Sequence, residues 1–303
     1  MDFPLKRRFY TIQDVLNAFT NLKTKTYVEL VKTQRGKEFV VTEQSSYDDV
    51  DAYLSDWFNE EVRVNSIFGD NISPMEYWEE NKVKLIEQAK ELNKRNNLGL
   101  LFNERELIYK NCLEATNFKV TLACYIYRYF LNTFGRNDVV VLDPCSGWGA
   151  RMIGALGAGV VNYTGIDPNL ELYKGYNEIK ETWPELSRNY VNVPKPFEDV
   201  EVESESVDLV FTSPPFSDLE TYYAGEAQDE QSTSRYQTEA EWYSWFTIFL
   251  KKSMNVLKPG RPLVLYLSHE LKNFAVKVLG RAEIIDCRRG KKRPVPLCIW
   301  YKF

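Results

Sequence analysis

Two acids and two glycines in the middle of the chain set the first chemical constraint. Asp143 closes the apolar run 139–142, and Pro144-Cys145-Ser146-Gly147-Trp148-Gly149 follows it. Glycines at alternate positions allow a tight turn and let backbone approach a ligand closely. A dinucleotide site would place a third glycine at 152, which is Met152. Asp143 would also repel a pyrophosphate, whereas it suits an ammonium or a hydroxyl. Asp167 ends a second apolar run, 163–166, and lies 24 residues beyond Asp143. An acid about twenty residues on, at the end of the next strand, is placed to hold ribose hydroxyls. Asp167 can equally cap a helix, and the two roles can coexist. Farther on, Lys195-Pro196-Phe197-Glu198-Asp199 offers an acid able to accept from an adenine amino group.

These residues need a frame. Apolar runs at 139–142, 163–166, 190–193, 207–211 and 263–267 alternate with helical stretches. Short apolar strands between helices mean a parallel sheet buried on both faces, an α/β domain of the doubly wound kind. Ligands bind such sheets at the carboxyl ends of the strands. Segments 283–288 and 296–303 read as a terminal hairpin. Before residue 136 the style differs. Helices are predicted over 11–22, 47–58, 73–96, 104–114 and 118–134, with a hairpin over 27–41. Thr11 caps the first helix, whose apolar face is Ile12, Val15, Leu16 and Phe19. Ser73, Pro74 and Glu76 mark a capping box. The chain is therefore divided into a mainly helical part, 1–136, and an α/β domain, 137–303.

The fourth apolar run ends in Thr212-Ser213-Pro214-Pro215-Phe216. With the glycine loop and the two strand-end acids, this tetrapeptide resembles class I S-adenosylmethionine-dependent amino-methyltransferases that act on DNA bases. The resemblance covers roughly residues 138–303 and implies a Rossmann-like, mostly parallel seven-stranded sheet. It implies an S-adenosyl-L-methionine site at Asp143, Pro144, Cys145, Gly147, Gly149, Asp167, Asn169 and either Glu198 or Asp199. Ser213, Pro214, Pro215 and Phe216 become the catalytic set. A Ser at the head is most similar to N4-cytosine enzymes, whereas Asp or Asn would indicate N6 of adenine. An exocyclic amine is a poor nucleophile, because its lone pair is delocalised into the ring. Acceptors such as the Ser213 hydroxyl and the Pro214 carbonyl can pull its nitrogen toward tetrahedral geometry. Two prolines hold those acceptors rigidly, and Phe216 can stack on an extruded base. A bare Pro-Pro turn closing a strand is the plain alternative. Cys145 follows a proline as a cytosine carbon-5 nucleophile would. It falls in the glycine loop, however, and reads as a small loop residue.

Substrate contacts are expected from two places. Polar segment 217–240, with Tyr222 and Arg235, can be a closing lid or a surface loop leading into a helix. In this fold the sixth strand is parallel, so its outgoing turn would bring Arg288, Arg289, Lys291, Lys292 and Arg293 to the substrate mouth for phosphate contact. A solvated cluster is the other reading.

Composition narrows the classes. Net charge is -5, so no global basic field marks a nucleic-acid binder. Charge is segregated, with eight cations against three acids over 1–37 and twelve acids against one cation over 38–80. The single His269 excludes a catalytic His pair and a two-His, two-Cys zinc site, and no metal is expected. Five Cys without a CxxC pair fit a reducing, cytoplasmic compartment. No signal peptide or apolar span is apparent. The expected substrate is nucleic acid, DNA before RNA, with no membrane partner. Only 87 residues follow Phe216, fewer than a large target-recognition segment needs. Recognition would then fall to residues 1–136, to the 217–240 loop or to a protein partner. An RNA base amine, a small-molecule or protein amine, and a catalytically silent nucleic-acid-binding scaffold are the alternatives.

Overall fold

The computed structural model describes residues 2–34, 36–41, 50–69, 71–215, 220–289 and 293–303. In chain order the elements are α1 (Ile12–Thr24), β1 (Val28–Thr33), β2 (Gly36–Val41), α2 (Val50–Asp56), α3 (Glu60–Arg63), β3 (Ile67–Phe68), α4 (Pro74–Asn96), α5 (Leu100–Asn111) and α6 (Val120–Phe134). They continue with β4 (Val140–Asp143), α7 (Ala150–Ala158), β5 (Asn162–Ile166), α8 (Tyr173–Thr182), β6 (Asn189–Val193), β7 (Leu209–Thr212) and β8 (Glu220–Thr221). The last are α9 (Ser232–Arg235), α10 (Glu239–Asn255), β9 (Pro262–Tyr266), α11 (His269–Leu279), β10 (Glu283–Arg289) and β11 (Val295–Tyr301).

Nine strands form the main sheet, in the order β1-β2-β10-β11-β9-β7-β4-β5-β6. Strands β4, β5, β6, β7 and β9 are mutually parallel, and β11 enters antiparallel between β9 and β10. The seven-stranded expectation is corrected by the N-terminal hairpin. Strand β2 pairs in parallel with β10, Phe39 opposite Cys287, and carries β1 to the edge. Its apolar alternation resembles that of any exposed hairpin, so the sequence did not reveal the docking.

Side chains alternate across the strands with period two. Val141, Tyr163 and Phe211 face α1, α6, α7 and α8, while Leu142, Ile166 and Val210 face α10 and α11. The first cluster also contains Phe19, Phe39, Ile126 and Phe130. Packing therefore continues unbroken across residue 136, where only the element type changes. Local signals hold at the helix starts. Thr11 and Asp14 form a capping box at α1, as do Thr238 and Glu241 at α10. Ser73 caps α4 by accepting from the Glu76 amide at 3.1 Å; this is a simple cap where the sequence called for a box. Ile12, assigned to the buried face of α1, is 47% exposed, and Ala18 and Leu22 take its place beside Val15 and Phe19.

Candidate active site

Chain order reverses at the middle of the sheet. From β4 the connections run outward through β5 and β6, then return to β7 on its other side. At such a switch point the loops leaving two adjacent strands part and open a crevice at their carboxyl ends. Here those loops are 144–149, leaving β4, and 213–215, leaving β7. A cavity of about 230 Å³, open to solvent, lies among them. Pro144, Cys145, Gly147, Asp167, Asn169, Glu198, Ser213, Pro214, Pro215, Tyr222 and Arg288 all line it. Residues dispersed over 144 positions of sequence thus share one space.

The glycine loop is held from three directions. Gly147 and Gly149 adopt φ of +55° and +89°, values a side chain would strain. The Gly147 amide donates to Asp167 Oδ2 at 2.9 Å, and the Ser146 amide donates to the Ile166 carbonyl at 3.0 Å. Below, the Tyr176 hydroxyl bonds the Gly147 carbonyl and lies 3.0 Å from Ser146 Oγ. Gly149 starts α7 and packs toward Ile179 and Tyr176, not toward the cavity.

Asp143 also requires correction. Its carboxylate is fully buried and bound by Arg151 Nε at 2.8 Å, Arg151 Nη2 at 3.1 Å and the Tyr163 hydroxyl at 2.9 Å. Arg151 Nη2 also bonds the Cys145 carbonyl. Asp143 therefore braces the loop through Arg151 and does not line the cavity. The sequence offered a sign of this in an Arg on the first turn of the following helix, within reach of the strand-end acid.

Asp167 is the acid that faces the cavity. It accepts from the Gly147 amide and from the Asn169 amide at 3.0 Å. Burial disfavours its charged form and outweighs both donors, pushing its carboxyl up to about 6. The capping role belongs to its neighbour. Asn169 Oδ1 accepts from the Glu171 amide at 3.1 Å, and its Nδ2 donates to the Tyr223 carbonyl at 2.7 Å. Of the two alternatives farther on, Glu198 lines the cavity and accepts from the Tyr236 hydroxyl at 2.9 Å. Asp199 instead pairs with Arg235 at 2.8 Å. Gln231 and Trp245 line the same cavity, and their Nε2 and Nε1 are buried with no partner among the described residues. Gln231 falls in the polar segment 217–240 and Trp245 in the helix after it, and no motif in the sequence marks either.

In the loop leaving β7, Ser213 is half-buried, Pro214 buried and Pro215 half-buried. Phe216 lies outside the described residues. Tyr222 meets Trp148 edge-on, ring centres 5.8 Å apart. Burial pushes the Cys145 thiol well above its ordinary range, so it is held as a neutral thiol and not as a nucleophile.

The expected cations distribute differently. Arg288 lines the cavity but makes two 2.9 Å bonds to Glu38 of β2. Arg235 is drawn among Asp199, Glu198 and Glu230 and does not line it. The side chain of Arg289, and all of Lys291 and Lys292, lie outside the described residues. Lys119, which the sequence did not single out, lines the cavity and pairs with Asp51 at 3.1 Å. Arg293 is described and exposed. Among the described residues no helix is long and apolar enough to cross a membrane.

The sequence matches no protein-family model and no curated protein. Solved structures similar to it include a tRNA (m1A58) methyltransferase from Aquifex aeolicus, at 14% identity and a TM-score of 0.40 over 59% of this chain and 68% of that one. A SAM-dependent O-methyltransferase from Thermotoga maritima follows at 11% and 0.39, over 59% of this chain and 64% of that one. A methyltransferase from Pyrococcus furiosus is 18% identical with a TM-score of 0.38, over 60% of this chain and 82% of that one.

Proposed function

We propose that the chain is an S-adenosyl-L-methionine-dependent methyltransferase acting on the exocyclic amino group of a nucleic-acid base. One observation carries this reading. The glycine loop and Ser213-Pro214-Pro215 open onto a single cavity at the switch point of the sheet.

The donor set fits the cofactor. Asp167 would accept from the ribose hydroxyls, and Glu198 from the adenine amino group. Gln231 Nε2 and Trp245 Nε1, which find no partner among the described residues, would be donors for ring nitrogens. The bound cofactor supplies an electrophilic methyl group on a sulfonium. Ser213 Oγ and the Pro214 carbonyl would accept from the amine N–H bonds, holding its lone pair toward that methyl. Rigid acceptors of this kind need no reorganisation as charge develops, and a fixed line of approach supplies the proximity term. Tyr222 and Trp148 offer aromatic walls for a planar base. Residues 1–136 would share in substrate recognition, since Phe118 and Lys119 lie in the cavity wall.

Incubation of DNA and of RNA with the protein and methyl-labelled cofactor, followed by nucleoside mass spectrometry, tests the reading. Label on N4 of cytosine or N6 of adenine is expected in one polymer. A folded, cofactor-binding protein that labels neither would overturn it. A second reading is favoured by the paired state of Lys119, Arg151 and Arg288 at the cavity, since paired cations attract phosphate poorly. Under that reading the acceptor is a small aromatic amine, and label appears on such amines with both polymers blank.

A further inference from the structure

Asn59 lies in the short connection before α3, far from every motif, yet its side chain is 2% exposed. Its Nδ2 donates to the Trp148 carbonyl at 3.1 Å, inside the glycine loop. A glycine clears the space for this amide, because a side chain on Gly175 of α8 would run into it.

The connection is itself anchored. Asp56 pairs with Arg63 at 2.6 Å and with Lys6 at 2.5 Å, and Arg105 binds Glu60. Arg7 donates to the Trp57 carbonyl at 2.7 Å and to Glu178 of α8 at 3.0 Å. Seven residues past Asn59, the same segment reaches the 220–223 loop, whose Tyr222 meets Trp148. Ser66 Oγ accepts from the Tyr223 amide at 2.9 Å, and β3 pairs with β8, Ile67 opposite Thr221. Tyr222, a cavity wall, lies between those two attachments.

We infer that segment 59–68 is the brace that sets the two loops of the cavity, with Asn59 a positioning residue for the cofactor loop and Ser66 one for the 220–223 loop. The inference rests on the reading of the cavity as an S-adenosylmethionine site. It gives the N-terminal part a place in building the site, beyond recognition of a substrate.

Two variants and two readouts test it. Calorimetry with S-adenosylmethionine on the wild type comes first, and absence of binding there would refute the cofactor reading rather than the brace. Given binding, Asn59→Ala should weaken it about two- to ten-fold, the effect of one lost neutral hydrogen bond. Hydrogen exchange should quicken in peptide 144–150 while the sheet strands stay as slow as in wild type. Ser66→Ala should quicken exchange in peptide 220–224 and leave cofactor affinity unchanged. This split is what general loosening of the fold does not produce. The inference is overturned if either variant leaves its own loop unmoved. It is overturned equally if Asn59→Ala raises exchange throughout the sheet or does not fold, since Asn59 would then serve stability alone.

Discussion

Replacing Asp167 with Asn isolates the energetic cost of keeping an acid at the cavity wall. Asp167 is 8% exposed, and burial moves its carboxyl from an ordinary 3.8 to about 6. A group whose folded pKa is raised binds its proton more tightly in the folded protein. Its contribution is therefore most favourable below the unfolded value and is lost as pH rises through about 6. The move from 3.8 to about 6 corresponds to about 3 kcal/mol, at roughly 1.36 kcal/mol for each ten-fold change. Asn has no proton to lose. Its amide meets the Gly147 and Asn169 N–H groups less well than a carboxylate does, which adds an offset with no pH dependence of its own. The stability difference between variant and wild type should therefore shift toward the variant by about 2.4 kcal/mol between roughly pH 4 and pH 7.5. Urea titrations followed by circular dichroism at successive pH values measure it. Parallel stability curves would refute the argument, because they would mean Asp167 titrates as it does in the unfolded chain. Cofactor affinity adds the functional half. In wild type it should rise as pH increases through about 6, where the carboxylate becomes available to ribose hydroxyls, and in Asp167→Asn it should be weak and flat.

Ser213→Ala should lower turnover by about 10²–10³, the usual effect of losing one preorganised hydrogen bond, and leave calorimetric cofactor affinity nearly unchanged. Arg151→Met would leave the Asp143 carboxylate buried without its partner, at a cost of about 3–5 kcal/mol in denaturant unfolding; a loss under about 1 kcal/mol would contradict the bracing role. If the turn after β10 contacts phosphate, replacing Arg289, Lys291 and Lys292 together with Gln should flatten the log–log salt dependence of oligonucleotide binding by roughly two. An unchanged slope would move the contact to the basic stretch from Lys6 to Lys37, and no salt dependence at all would favour a small amine.

The inner parallel strands β4, β7 and β9 were legible because each is a short apolar run, and burial on both faces leaves no polar alternation to blur it. Helix starts were legible where a cap and an apolar stripe coincide, as at Thr11 and Ser73. What escaped was the docking of the N-terminal segments onto the sheet and its loops. Nothing local distinguishes a hairpin that docks on β10 from one that stands free, nor shows that Glu38 will meet Arg288. The same limit applies within the site. Asp143 and Asp167 look alike in sequence, each an acid closing an apolar strand. Only the neighbours separate them, since Arg151 and Tyr163 occupy the first while backbone amides leave the second facing the cavity. Asn59, Lys119 and Trp245 carried no motif, because their roles depend on where the N-terminal part and α10 fold back onto the loops.

The parallel pairing of β2 with β10 has a consequence for the order of assembly. Lys37 lies opposite Ile285, so all of residues 38–284 must be synthesised before this pairing can close. Hairpin β1–β2 is local and can form as it leaves the ribosome, with Phe39 opposite Leu30, but the other edge of β2 then has no strand to pair with. Contacts this remote in sequence are late and slow to form. The growing chain thus carries an unfinished, sticky edge for most of its synthesis, and such edges are where chains aggregate. β1 is the strand at that edge of the sheet, and although Leu30 and Val31 are exposed on it, Glu29 and Lys32 put a charge on each of its faces, which discourages pairing with a neighbouring nascent chain.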